Sequence, residues 1–255
     1  MKQQAKITIN IQGNLLGGER SLICVPLMAA EERDIIREAE VLAALLPDVV
    51  EWRADGFDGV ENIDSCMRIL NRLRNILPGV GLVFTCRTSE EGGSRKLPRE
   101  YRLELNKAAI DSNCIDLLDT ELVNGEDYLR EVRSCAEAKN VNLIISHHNF
   151  IQTPDEESII SILKKEQLCG ADVVKIAVMP RCYDDVLTLL SATAKARQHH
   201  IAVPMIAISM GEMGKMSRLA GGCFGSDLTF AVGTNASAPG QIAIEPLRNG
   251  LTALE

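Results

Sequence analysis

Asp172-Val173-Val174-Lys175-Ile176-Ala177-Val178 is a short run of apolar, β-forming residues with one lysine at its centre. Such a run reads as a buried strand of a parallel sheet. Desolvation there disfavours the ammonium form and lowers its pKa. A neutral amine in that place is a nucleophile toward a ketone or aldehyde. The plainer readings are a lysine that snorkels from a strand end, or one paired with a buried carboxylate.

On both sides of this run the chain keeps one rhythm. The pattern predicts strands over 22–27, 48–53, 81–87, 115–121, 141–147, 172–178 and 203–209, with a weak eighth over 228–232. Between them, apolar residues recur at helical spacing: Ile63, Cys66, Met67, Leu70, Leu73 and Leu77 form one stripe, and Val186, Leu187, Leu190 and Ala194 another. These predict helices over 31–46, 62–77, 98–112, 126–139 and 183–198. A further helix starts near Thr153-Pro154-Asp155-Glu156, with Pro in its first turn. A short helix over 214–221 and a last one over 240–254 complete the series. Residues 6–11 alternate as a half-buried strand, and Gly13-Asn14 and Gly17-Gly18 are turn formers, so a small β-hairpin precedes the main body.

Eight strand–helix units with near-continuously apolar strands require a parallel sheet with helices outside. The reading is a single domain over 1–255, a (β/α)8 TIM barrel with an N-terminal β-hairpin. An open doubly wound sheet is the alternative, weakened because no Gly-x-Gly-x-x-Gly follows the first strand.

A barrel keeps its site at the C-terminal strand ends. Glu51 and Arg53 share one side of strand two, two residues apart. Strand three ends at Arg87, strand four at Asp119-Thr120-Glu121, strand five at Ser146-His147-His148-Asn149, and strand seven at Ser209. Any one of these could be a rim salt bridge. Their convergence on Lys175 is what points to catalysis. The polar loop Thr88-Ser89-Glu90-Glu91-Gly92-Gly93-Ser94 can bring Glu91 over the mouth. Asn235-Ala236-Ser237-Ala238-Pro239-Gly240-Gln241 opens the last helix, whose N-terminus favours an anionic group. Trp52 points away from Glu51 and Arg53 and is expected behind the wall. His199-His200 reads as a solvated helix end.

Composition narrows the partners. A formal net charge of −8 argues against nucleic acid and anionic lipid. No run reaches the ~18 apolar residues of a membrane span, and no signal-length segment follows Met1-Lys2-Gln3-Gln4, so a cytoplasmic location is expected. The eight cysteines form no Cys-x-x-Cys pair and read as reduced core thiols. No His/Cys/Asp/Glu set has metal spacing, and the site is read as metal-free.

These motifs, in this order and spacing, resemble the type I 3-dehydroquinate dehydratases, the Schiff-base enzymes of the shikimate pathway of aromatic amino acid biosynthesis. The matching segments are Glu51-Trp52-Arg53, Thr85-Cys86-Arg87 with Glu91-Gly92-Gly93, Asp119-Thr120-Glu121, and Ser146 to Phe150. They continue through Val174 to Pro180, Ser217 to Gly221, Phe224-Gly225-Ser226, and Ala236 to Gln241. The resemblance implies a homodimeric barrel without a cofactor. It also implies that Lys175 forms an imine with 3-dehydroquinate, that His148 moves protons, and that Glu91 orients His148. Glu51, Arg53, Arg87, Arg218, Ser237 and Gln241 would hold the substrate. The arginines would also keep the Lys175 pKa down, and the 88–95 and 233–240 loops would serve as a lid. Thr120 stands where an aliphatic residue is usual, and Pro26 where some members carry Ser. A class I aldolase and a barrel that only binds a small hydroxy-acid are the rival readings. The first shares the imine lysine and the second would bind without turnover.

Overall fold

The structure, a computed structural model, describes residues 2–233 and 240–254. A hairpin comes first, β1 (Ile9–Ile11) against β2 (Asn14–Leu16). Its turn is Gln12-Gly13, with φ of 50° and 87°, and not either of the glycine pairs expected to turn it. Two successive positive φ values are what a tight two-residue hairpin turn requires.

Eight parallel strands follow: β3 (Leu22–Leu27), β4 (Val49–Arg53), β5 (Gly81–Thr85), β6 (Leu117–Glu121), β7 (Asn142–Asn149), β8 (Val173–Val178), β9 (Met205–Ser209) and β10 (Leu228–Val232). Each strand from β3 to β8 pairs with the next in sequence, and β10 pairs back onto β3. Outside lie α1 (Glu32–Leu45), α2 (Ile63–Ile76), α3 (Arg99–Asp111), α4 (Glu126–Lys139), α5 (Glu156–Leu168), α6 (Tyr183–His199), α7 (Lys215–Ala220) and α8 (Ile244–Leu254). The (β/α)8 barrel read from the sequence is therefore present.

One join differs from the others. Between β9 and β10 the barrel is closed by Asp227 and Ser226 instead of a ladder. The Asp227 backbone N–H donates to the Met205 carbonyl at 2.6 Å, and the Met205 N–H donates to Asp227 Oδ2 at 2.8 Å. The Ala207 N–H donates to Ser226 Oγ at 3.1 Å. The Asp227 carboxylate is fully buried and also holds Arg197 and Lys2.

Period-2 alternation divides the strand residues between two apolar layers. Val50, Trp52, Leu82, Phe84, Leu118, Val174 and Ile176 pack outward under the helices. Cys24, Val49, Val83, Leu117, Ile144, Val173, Ile206 and Leu228 fill the interior. Ile11 and Leu16 of the hairpin join this inner layer and close the barrel at the N-terminal end of its strands. Gly81 leaves the room: a Cβ there would stand 2.5 Å from Ile11 Cγ2.

Most element ends fall within two residues of expectation, and the differences have local causes. β5 stops at Thr85 and not at Arg87, whose N–H is drawn to Asp55 at 3.1 Å. β7 runs on through His148 to Asn149, in register with β8. α5 begins one residue after its N-cap, Asp155, which accepts the Ser158 N–H, so Pro154 lies outside the helix. β9 starts after Pro204. The last helix begins at Ile244, not near 240, because Ile242–Ala243 form a short strand, β11, beside β10.

Candidate active site

The inward residues of the strands meet at the C-terminal mouth. They line a cavity of about 110 Å³ together with Phe150, Ile208, Met210 and Phe230. Glu51, Arg53, Arg87, Glu91, His148, Lys175, Arg218 and Gln241 all face it. Ser237 lies outside the described residues. A larger groove of about 800 Å³ runs past Lys2, Arg20, Leu219, Leu251 and Leu254. It lies outside the barrel, by the N-terminal ends of β3 and β10.

Lys175 stands on β8, 4% exposed. Its Nζ lies 2.6 Å from Asp119 Oδ2, 3.5 Å from Glu51 Oε1, and 4.6 Å above the Phe230 ring. The plainer reading of this lysine, pairing with a buried carboxylate, is thus part of the picture. Arg87 shares the lysine's carboxylate: its Nη2 lies 2.9 Å from Asp119 Oδ2, the oxygen that Lys175 Nζ contacts. Arg87 grips both Asp119 oxygens at 2.9 Å, and also Glu121 at 3.0 Å and Ser146 Oγ at 2.7 Å. Burial alone would raise the Asp119 pKa, but the Arg87 and Lys175 charges hold it well below the usual carboxylate range. Behind the wall, fully buried Glu166 of α5 accepts the Lys175 backbone N–H at 2.9 Å.

His148 is one strand away, in register with Ala177. Glu91 Oε2 accepts its backbone N–H at 2.8 Å and lies 3.0 Å from its Nδ1. With Oε2 accepting the backbone N–H, we assign the ring proton to Nδ1. Nε2 then carries the lone pair. Burial, with the Arg87 and Lys175 charges, presses the His148 pKa well below its ordinary value. Burial raises the Glu91 carboxyl to about 8. His147 faces the other Glu91 oxygen, with Nδ1 3.7 Å away.

The three arginines differ. Arg53 is forked onto Asp55 by two 2.9 Å bonds, and Arg53 and Arg87 both have raised pKa values because their carboxylates outweigh burial. Arg218 of α7 donates to the Phe230 carbonyl at 3.4 Å, and burial pulls its pKa down to about 10. Glu51 accepts the Thr85 hydroxyl at 2.9 Å. Trp52 faces away, buried between Phe57 and Phe84.

The sequence places Asp119 at an active strand end without marking it for a task, and Asp55 carries no sequence signal. Asp119 was findable: it is an inward residue two places before Glu121, on β6, with β7 between it and the lysine strand β8. Asp55 follows its strand in an ordinary-looking turn, and nothing in the pattern separates it from a surface aspartate.

A family profile described as Type I 3-dehydroquinase matches residues 23–255. A 3-dehydroquinate dehydratase of Bacillus velezensis is 42% identical over 247 residues, 97% of this chain and 98% of that one. The crystal structure of 3-dehydroquinate dehydratase from Geobacillus kaustophilus superposes with a TM-score of 0.97 at 39% identity, covering 100% of this chain and 98% of the other. The type I enzyme of Clostridium difficile, crystallised with covalently modified comenic acid, gives 0.94 at 41% identity, with 97% of each chain covered. With the matched profile spanning nearly its whole length, the chain belongs to the type I 3-dehydroquinase family.

Proposed function

We infer that the protein is a hydro-lyase that converts 3-dehydroquinate to 3-dehydroshikimate through an imine on Lys175. The carrying observation is that a buried amine and a buried, base-competent imidazole stand on adjacent strands of one cavity. They are separated by register alone, and Glu91 fixes the imidazole.

The Lys175 amine gives up a proton before attack. Two carboxylates are in reach. Asp119 is already committed to Arg87 and Ser146, so Glu51 takes the proton. The amine adds to the ketone, and the carbinolamine loses water to form a protonated imine. That cation acidifies the neighbouring C–H, and His148 Nε2 removes its proton. The enamine expels the β-hydroxyl, which leaves as water with the proton His148 holds. Hydrolysis frees the product and the lysine. One nitrogen serves both transfers because Glu91 Oε2, 3.0 Å away, occupies Nδ1 and leaves Nε2 for the substrate.

The substrate carboxylate goes to Arg218. Arg218 lines the cavity, burial lowers its pKa, and a bound anion would raise it again. Arg53, Arg87 and Gln241 border the remaining hydroxyls, and Ser237 completes the set by family resemblance. The resemblance also carries homodimer assembly in the cytoplasm, which light scattering on the purified protein tests. Among the described residues no helix is long and apolar enough to cross a membrane.

Borohydride trapping with 3-dehydroquinate, followed by mass spectrometry, places the adduct on the peptide containing Lys175, and Lys175→Ala abolishes it. Labelling that persists in that variant refutes the assignment. Growth of a conjugated-enone absorbance separates dehydration from aldolase-type cleavage and from binding without turnover.

A further inference from the structure

Asp55 lies in a 3-10 turn (Ala54–Gly56) just past β4, and none of its surface is exposed. It touches no cavity-lining atom except through Arg53 and Arg87. Oδ1 accepts Arg53 Nε at 2.9 Å and the Arg87 backbone N–H at 3.1 Å. Oδ2 accepts an Arg53 terminal nitrogen at 2.9 Å and the Ser94 backbone N–H at 2.8 Å. A carboxylate offers about four lone-pair positions, and all four are used. Burial alone would raise its pKa, but these donors keep it below the usual range.

The two backbone donors are the two ends of one loop. Between Arg87 and Ser94 the chain turns back on itself: the Gly93 N–H donates to the Thr88 carbonyl at 2.9 Å. Closure is tight, because a Cβ on Gly93 would lie 2.1 Å from the Arg87 carbonyl oxygen. Gly92, at φ 86°, carries the bend and passes under the Phe150 ring. Arg53, held by the same carboxylate, donates to the Gly92 carbonyl at 3.3 Å. The residue this loop presents is Glu91, 5% exposed, with Oε2 on His148.

We propose that Asp55 is a positioning residue: a single buried carboxylate that ties both ends of the 87–94 loop to β4 and thereby sets Glu91 against His148. It acts on proton transfer without meeting the substrate. An amide cannot replace it, because Asn offers one acceptor oxygen and turns an NH2 toward donors. Lys175 Nζ is held by Asp119 of β6 and Glu51 of β4, and its backbone N–H by Glu166 of α5; none of these lies in the 87–94 loop, so imine formation survives loosening of the loop.

The inference rests on the dehydratase reading, and the test separates the two. Asp55→Asn lowers kcat by on the order of 10- to 100-fold, the scale of a displaced catalytic group. It raises KM less, and borohydride trapping of the imine persists. In the double variant with Glu91→Gln, kcat falls no further than in Glu91→Gln alone. Two losses that multiply, or trapping that disappears with turnover, overturn the proposal. If Asp55→Asn does not fold, Ser94→Pro removes one loop donor and leaves the Arg53 pair intact. The same kcat-selective loss is expected of it, and a folded Ser94→Pro with wild-type kcat overturns the tie. Hydrogen exchange of the 88–93 amides, faster in Asp55→Asn, reads the tie without any substrate, and unchanged exchange refutes it. A wild-type protein that fails to turn over 3-dehydroquinate refutes the dehydratase reading, while the exchange result still decides the role of Asp55.

Discussion

Burial moves the two facing groups of the Glu91–His148 pair in opposite directions, and each shift has a consequence in pH. The His148 pKa lies well below 6.5 in the folded protein. The imidazole therefore remains a base through neutral and mildly acidic pH, and kcat/KM holds level down through pH 6.5 before its acid limb begins. A limb centred at or above 6.5 would contradict this. The unfolded chain binds the His148 proton first, so this group's contribution to stability grows as pH rises toward 6.5. Glu91 runs the other way. Its folded pKa of about 8 exceeds the unfolded value. Its contribution is present below about 4.5 and is lost as pH rises through about 8. Glu91→Gln removes that loss, so the variant's thermal midpoint exceeds that of the wild type in alkaline buffer, while kcat falls. At this scale the sequence revealed which side chains meet and concealed which charges they answer to. Lys175, His148 and the arginines are legible as inward residues of strand ends. That Arg87 and Lys175 share Asp119, and that both charges bear on His148, depends on distances of 2.6 to 3.0 Å that no spacing encodes.

The elements were readable wherever one physical signal acted alone. Continuous Val, Ile and Leu runs marked β3 to β9, and helical stripes marked the helices between them. The misses occur where a side chain overrides the backbone pattern: Asp55 draws Arg87 out of β5, and Asp155 rather than Pro154 starts α5. The hairpin was visible as alternation, and its task was not. Ile11 is 1% exposed and inserts over Gly81 into the inner layer. Ile11→Ala should cost about 2–5 kcal/mol in urea unfolding, the usual range for a large aliphatic side chain cut back in a core. Because the hairpin sits at the opposite end from the catalytic mouth, kcat should stay at the wild-type value. A variant that keeps full stability would show that the hairpin does not plug the barrel.

For the whole molecule, the circle of strands is only as secure as its weakest join. Seven neighbouring pairs from β10 through β3 to β9 share continuous ladders, while β9 and β10 are held by Asp227 and Ser226. Asp227 also neutralises buried Arg197 and Lys2. Asp227→Asn leaves a buried guanidinium without its counter-ion, which typically costs about 3–5 kcal/mol. Chemical denaturation measures that loss, and an unchanged midpoint would show that the ladder-free join is not where the barrel closes. Eightfold repetition made the closed fold legible in the sequence. The join was not, because it is made by side-chain and turn atoms at the N-terminal edge of the weakest strand.

The chain contains one tryptophan, and its indole is wholly dry, edge-on to Phe84 at 5.6 Å. Its two sequence neighbours are the glutamate and arginine that face the cavity. Excited near 295 nm, a wavelength chosen for indole alone, the protein therefore has a single intrinsic fluorophore, emitting toward the blue from an apolar shell. Ligand titrations and stopped-flow records can be taken on the unlabelled polypeptide, with every change in quantum yield assigned to one stave of the barrel.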